Sequence, residues 1–317
     1  MDGAIILSPD ADRIARANVH LMPNATIPTI ETGTRHRTAE RVARSVDVPV
    51  VSVSAAMGLV TVYRGDARHV LQDERRLHER VRQALQTSRR FRQRFDTALA
   101  SLSALEIADT VTVRDVAAVL QPAELLFRIA DEVKVDIVEL GEDGRLLRLQ
   151  LDEVLEGVDP VRQLVMRDYL HGGGDGVRAA RADGRRPGRA ATRGDGRGAH
   201  RGVTSDESRG ALATLAGFST DELLDVRRMP GVLGLSSAHY DPDAPLEPRG
   251  YRLLHRLPRF PEPLVDRIVE HFAGLQRIMR TSVVDLEEVE GVGETRARSV
   301  KEGLARLAEA SILDRYE

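Results

Sequence analysis

The chain has 317 residues, enough to bury a sizeable core and, on length, more consistent with two or three domains than with one. Its 46 basic and 49 acidic side chains leave a formal charge of −3, so no global basic field draws it to nucleic acid and any such contact must come from a local patch. The absence of cysteine excludes disulfides, thiolate metal sites and a cysteine nucleophile, and with aromatics at 3% and no tryptophan a base-stacking platform is not expected.

Asp2 stands where a signal peptide would carry its basic region. No apolar run approaches the roughly 18 to 20 residues that a bilayer crossing needs, so the chain reads as soluble and cytoplasmic, with no membrane partner. Only Lys134 and Lys301 among the basic residues are lysine, a bias typical of GC-rich coding sequence.

In chain order, Met1 to Leu7 is a short apolar run of core-strand type, closed by the turn Ser8-Pro9-Asp10. Residues 11 to 32 carry little periodic signal and read as a loop marked by Pro23, Asn24 and Pro28. Ala39, Val42 and Ala43 predict a helix from Thr38 to Ser45, which places Gly33 to Arg37 on the loop at its amino end. Unpaired amides and the helix dipole both favour an anion there. The β-branched runs Val48 to Ser54 and Gly58 to Tyr63 predict two neighbouring strands.

Beyond Asp73, apolar residues from Leu77 to Leu105 recur three or four apart and predict one amphipathic helix of roughly thirty residues. Shorter helices are expected at Val113 to Leu120, Ala123 to Val138, Asp152 to Glu156 and Pro160 to Tyr169. In residues 172 to 202, Gly and Arg supply 18 of 31 positions, so disorder is expected. Its arginine-biased setting fits an insertion or a shifted reading frame better than an Arg/Gly linker for nucleic acid. Apolar spacing returns at Leu212 to Leu224, and Tyr251 to Tyr316 reads as helical throughout.

Two stretches carry chemistry. Gly33-Thr34-Arg35-His36-Arg37-Thr38-Ala39-Glu40-Arg41 combines a glycine that lets backbone approach a ligand with two hydroxyls, three guanidinium groups and an imidazole, a donor set suited to triphosphate oxygens. Leu286 to Val300 has the form of a helix-hairpin-helix, in which Gly291-Val292-Gly293 makes a tight turn and Ala297 is the small residue of the second helix. Such a turn presents amides to a DNA phosphate without reading sequence. A weaker copy without glycine spans Leu254 to Phe272 around Pro258-Arg259-Phe260-Pro261. Residues 249 to 317 hold 12 basic and 12 acidic side chains, so one copy alone would bind DNA weakly and with strong salt dependence. Taken singly, each feature has a plainer origin: Asp2-Gly3 is a common turn dipeptide, a lone histidine is usually structural or exposed, and a run such as Arg35 to Arg41 is usually a solvated helix face.

Their joint order is more specific. Asp2-Gly3-Ala4, then Gly33 to Arg41, then the terminal glycine hairpin resemble the DisA family of DNA-integrity-scanning diadenylate cyclases, over residues 1 to 171 and about 211 to 317. The resemblance implies a mixed α/β and all-α chain in four parts: a partial α/β cyclase domain at 1–70, a helical spine at 71–171, the Arg/Gly segment at 172–210, and at 211–317 a helical region with the tandem helix-hairpin-helix domain. It further implies condensation of two ATP into cyclic di-AMP and two pyrophosphates with Mg2+ or Mn2+, an octamer in which cyclase domains face each other, and engagement of branched DNA.

Carried over by position, Asp2 holds the metal and helps activate the ribose 3′-hydroxyl, and Gly3 and Ala4 line the nucleotide pocket. Gly33, Thr34, Arg35, His36 and Thr38 bind ATP, with Arg35 and His36 counted among the catalytic groups, and Ser54 makes a further phosphate contact. Gly291, Val292, Gly293, Thr295 and Arg296 face DNA. Two features depart from the family: several dozen residues normally precede Asp-Gly-Ala, and Ala55-Ala56-Met57-Gly58 stands where some members carry arginines. The expectation is therefore a truncated copy whose sheet has an open edge. The alternative reading is a catalytically inactive DNA-binding or oligomerisation protein.

Overall fold

The fold was taken from a computed structural model, which describes residues 3–55, 58–171, 203–235, 241–258 and 260–313, with side chains as far as residue 310. Asp2, Ala56, Met57, Arg259, Tyr316 and the Arg/Gly run at 172–202 lie outside the described residues. The chain divides into two compact units, Met1–Arg82 with Val135–Leu147, and Gln83–Lys134 with Arg148–Glu317.

In the first unit, β1 (Ala4–Leu7) pairs antiparallel with β2 (Ile14–Val19), with Ala4 opposite Val19 and Leu7 opposite Ile14. Two expectations fail here. β1 is not a buried core strand, since Ile5, Ile6 and Leu7 are exposed, and residues 14–19 form a strand rather than loop. The β2 sequence IARANV lacks alternation because almost all of it faces solvent, so the pairing rests on backbone hydrogen bonds.

Helix α1 (Thr34–Val46) is followed by an antiparallel meander of β3 (Val50–Ser54), β4 (Leu59–Arg64) and β5 (Ala67–Val70), in that spatial order. Ala39 and Ala43 of α1 pack on Tyr63 of β4, with Val50 of β3 beside them. The opposite face of the sheet leaves Val51 and Val53 exposed. α1 starts four residues earlier than its apolar spacing predicts. Its inward stripe is His36, Ala39, Glu40 and Ala43, and two polar members hide the period.

Helix α2 (Glu74–Ala108) is one continuous helix of 35 residues, close to the length predicted. α3 (Val113–Glu139) joins the two helices expected there, with Pro122 in its interior, while Leu120, Ala123 and Leu126 keep a buried stripe across the proline. α4 (Arg145–Leu155), α5 (Val158–Tyr169), α6 (Ser205–Ala216), α7 (Thr220–Leu224) and α8 (Met229–Val232) follow. Phe95, Leu102, Val116, Leu120, Met166, Tyr169 and Leu215 belong to one core of the second unit.

The C-terminal region is not helical throughout but five helices broken by turns: α9 (Tyr251–His255), α10 (Glu262–Phe272), α11 (Leu275–Arg280), α12 (Val283–Glu287) and α13 (Glu294–Leu313). Leu254, Val265, Ile268, Leu286, Val292, Ala297 and Val300 form its core, so the two helix-turn-helix segments share one apolar centre.

A buried polar network joins this centre to the other helices of the same unit. Asp168 of α5 accepts the backbone N–H groups of Gly250 at 2.7 Å, Tyr251 at 2.6 Å and Arg252 at 2.9 Å, which supplies the amino end of α9 with its acceptors. Burial first, then the charge of Glu106, push the Asp168 carboxyl up to about 7 against the opposing pull of the amides and Arg252. The folded state then holds this proton more tightly than the unfolded chain does. The stability contributed by Asp168 should therefore fall as pH rises from about 4 to about 7 and level off above that. The melting temperature of wild type minus that of Asp168→Asn should fall across this window, and a difference that rises with pH would contradict the assignment.

Candidate nucleotide-binding site

Gly33 is the residue before the first turn of α1, with φ −83° and ψ 140°, an extended conformation open to any residue. A Cβ there would meet only the His36 ring, at an ordinary 3.6 Å. No neighbour among the described residues therefore demands glycine here. What the geometry leaves is a helix start with no side-chain cap and no acidic residue in its first turn, so the first amides and the positive end of the dipole keep their pull on an anion.

Thr34, Arg35 and His36 lie on that first turn rather than on the preceding loop, and they diverge around the helix. Thr34, Arg35 and Arg37 are exposed and Thr38 is half-buried, whereas His36 points into the protein at 7% exposure. Its Nδ1 lies 3.1 Å from the Tyr63 hydroxyl, and its buried Nε2 has no hydrogen-bond partner among the described residues. The third guanidinium of the stretch is structural: Arg41 donates from Nε to the carbonyl of Ile27 at 2.9 Å. Glu40 is buried, accepts from Thr29 and pairs with Arg44 at 3.0 Å, while Arg44 also donates to the Pro28 carbonyl. These bonds tie the loop before Gly33 to the flank of α1.

Glu31 ends that loop beneath the helix start. It accepts from the Tyr63 hydroxyl at 2.8 Å and from Arg68 Nε at 2.6 Å. Burial pushes the Glu31 carboxyl up, but the hydrogen bonds from Tyr63 and Arg68 together with the Arg68 charge outweigh it and hold the group below the usual carboxylate range. Burial and then the hydrogen bond to Glu31 push the Tyr63 phenol up to about 12. None of Glu31, Tyr63 or Arg68 stood out in the sequence, where Tyr63 reads as a strand residue and the other two as isolated charges.

Gly3 and Ala4 stand at the start of the β1–β2 hairpin. Gly3 has a structural reason of its own: a Cβ there would lie 2.5 Å from the Asn18 backbone, and Asn18 itself takes a left-handed φ of 57°. Ser54 closes β3, opposite Leu59. Among the described residues no group of three or more His, Asp or Glu side chains converges as a metal site. A hard cation needs few protein ligands when phosphate oxygens supply the rest, so a single carboxylate such as Asp2 is compatible with Mg2+ or Mn2+.

The residues expected to face DNA are arranged around the turn between α12 and α13. Gly291 has φ +87°, and a Cβ there would press on the Arg267 guanidinium at 3.1 Å, so this position requires glycine. Gly293 has open space around it. Val292 is buried in the core and can offer only its backbone. Arg296 donates to the Gly291 carbonyl at 2.8 Å and Arg267 to the Glu290 carbonyl at 2.9 Å, which occupies turn carbonyls with cations, and Thr295 is exposed. Among the described residues no helix is long and apolar enough to cross a membrane.

Residues 1–68 match the family model described as DisA bacterial checkpoint controller nucleotide-binding, and residues 71–182 match the DisA bacterial checkpoint controller linker region. The whole chain is 47% identical over 316 residues to the DNA integrity scanning protein DisA of Kineococcus radiotolerans, covering 80% of that protein. It is 49% identical to the proteins of the same name from Acidothermus cellulolyticus and Streptomyces coelicolor, covering 78% and 77% of them. With a nucleotide-binding match that contains α1, β3 and β4, and similarity of this degree over the whole chain, the chain belongs to the DisA family.

Proposed function

We propose that this protein is a diadenylate cyclase, condensing two ATP into cyclic di-AMP and two pyrophosphates, and that it couples this reaction to branched DNA. The observation that carries the reading is the uncapped start of α1, with Thr34 and Arg35 exposed on it and His36 buried beneath it, inside the segment that matches the family's nucleotide-binding model. In each of two attacks a ribose 3′-oxygen forms a bond to the α-phosphorus of the other ATP, the bond to pyrophosphate breaks, and the hydroxyl proton leaves. Charge builds on phosphate oxygens, so donors fixed around them and correct alignment supply the catalysis. Gly33, Thr34, Arg35, His36 and Thr38 hold the triphosphate, Ser54 adds a contact, and Gly3 and Ala4 line the pocket. Asp2 with phosphate oxygens holds Mg2+ or Mn2+, which when bound neutralises phosphate charge.

Because each site brings one ATP, two protomers must face each other, as in an octamer. In the same reading residues 1–70 are the cyclase-domain part, 71–171 the spine, 172–210 a low-complexity segment that from Ser205 on already belongs to helix α6, and 211–317 the region with paired helix-hairpin-helix units, in a cytoplasmic protein. The amides of Gly291, Val292 and Gly293, with Thr295 and Arg296, meet DNA phosphates, and multiple copies add avidity.

Incubating the full chain with ATP and Mn2+ should yield cyclic di-AMP, detected by mass. If the protein neither binds ATP nor makes product, the cyclase reading fails and a DNA-binding, oligomer-forming protein without catalysis is left. For the DNA arm, Gly293→Glu is the sharper probe, because the open space at Gly293 accepts a side chain while the carboxylate repels phosphate. Binding to a four-way junction at constant salt should weaken about tenfold, and unchanged binding would move the DNA contact elsewhere.

A further inference from the structure

The hydrogen bonds below α1 have a direction. Glu31, ionised, can only accept, and it accepts the hydrogen bond of the Tyr63 hydroxyl at 2.8 Å. A phenol pushed up to about 12 keeps its single proton, so the Tyr63 oxygen has only lone pairs left for His36. The group facing it at 3.1 Å is Nδ1, which must therefore be the protonated nitrogen. Arg68, donating to the same Glu31 oxygen at 2.6 Å, fixes the carboxylate at the far end of the chain.

We propose that Glu31 and Tyr63 are positioning residues for His36: they hold its proton on Nδ1 and so present Nε2, buried and without a partner among the described residues, to the nucleotide phosphates at the start of α1. This deepens the nucleotide-binding reading and rests on it for the identity of the ligand. The edge-on packing of the two rings, 6.5 Å between centroids at 64°, adds a steric limit on the imidazole. Neutral His36 offers a lone pair at Nε2. When it carries both protons, His36 donates at both ends, to Tyr63 and to a phosphate oxygen. The role parallels that of the groups that fix the tautomer of a metal-bound histidine.

The test is a two-bond 1H–15N correlation spectrum of the full chain labelled at histidine, with His36 assigned by the signals lost in His36→Gln. Wild type at a pH where the ring is neutral should carry the proton on Nδ1, and Tyr63→Phe, which keeps the buried ring, should lose that preference. A wild-type His36 with its proton on Nε2 overturns the proposal without any need for a variant to fold. So does an unchanged tautomer in Tyr63→Phe. In parallel, Tyr63→Phe should bind ATP about tenfold more weakly, the loss of one hydrogen bond that orients a charged donor. Absence of ATP binding by wild type would refute the nucleotide reading while the tautomer stands on its own. A displaced tautomer with wild-type ATP affinity would show that the chain from Glu31 does not position the ligand-binding group.

Discussion

Replacing Glu106 with alanine is expected to destabilise the second unit by about 3–5 kcal/mol, the range for a buried ion pair that loses one partner. Glu106 is 1% exposed and Arg252 3%. The guanidinium meets the carboxylate through two nitrogens, Nε at 3.2 Å and Nη2, and Tyr169 donates to the same carboxylate at 2.7 Å. Burial and the charge of Glu106 push the Tyr169 phenol well above its ordinary range, so it stays a donor. Without Glu106, the Arg252 side chain keeps a hydrogen bond to Ser103 Oγ at 3.0 Å and the more distant charge of Asp168, and the Tyr169 hydroxyl loses its acceptor. Urea unfolding of the single variants and of Glu106→Leu with Arg252→Met separates the cost of an orphaned charge from the worth of the pair. The double variant should recover much of the loss, because apolar groups of similar size often replace a buried pair with little penalty. A single-variant loss under about 1 kcal/mol would mean that water reaches the site.

This network also shows where sequence reading stops. The long period of α2 was legible because its buried face from Leu77 to Leu102 is apolar apart from Ser88. The partnership of Glu106 with Arg252 was not, because the two residues are 146 positions apart and each looks like one more charge on a helix. The same holds at the candidate site. Gly33 to Arg41 announced itself by its donors, but the helix start was misplaced because His36 and Glu40 occupy inward positions that the pattern reserves for apolar residues. Tyr63, Glu31 and Arg68 became visible only when β4 was laid under α1. Strand β2 stayed hidden for the opposite reason, since an exposed strand has no apolar period to show, and the steric demand at Gly3 is made by Asn18 across the hairpin.

If the proposed chemistry holds, Arg35→Ala should lower cyclic di-AMP synthesis by about 10²- to 10³-fold, the effect of removing one donor that stabilises developing charge. Arg35 is exposed on the first turn of α1, and the melting temperature of the variant, measured beside its turnover, separates chemistry from folding. Arg41→Ala is the matching control. It removes the bond to the Ile27 carbonyl, so its cost should appear in the melting temperature, with turnover of the folded fraction close to wild type. Arg35→Lys, which keeps the charge but not the planar pair of donors, should recover only part of the rate. Measuring kcat and KM for all three at fixed Mn2+ distinguishes the roles. A loss confined to KM would make Arg35 a ground-state phosphate clamp. A rate within threefold of wild type would remove it from the reaction and leave the buried face of α1, through His36 and the chain to Glu31, as the part of this helix that meets the nucleotide.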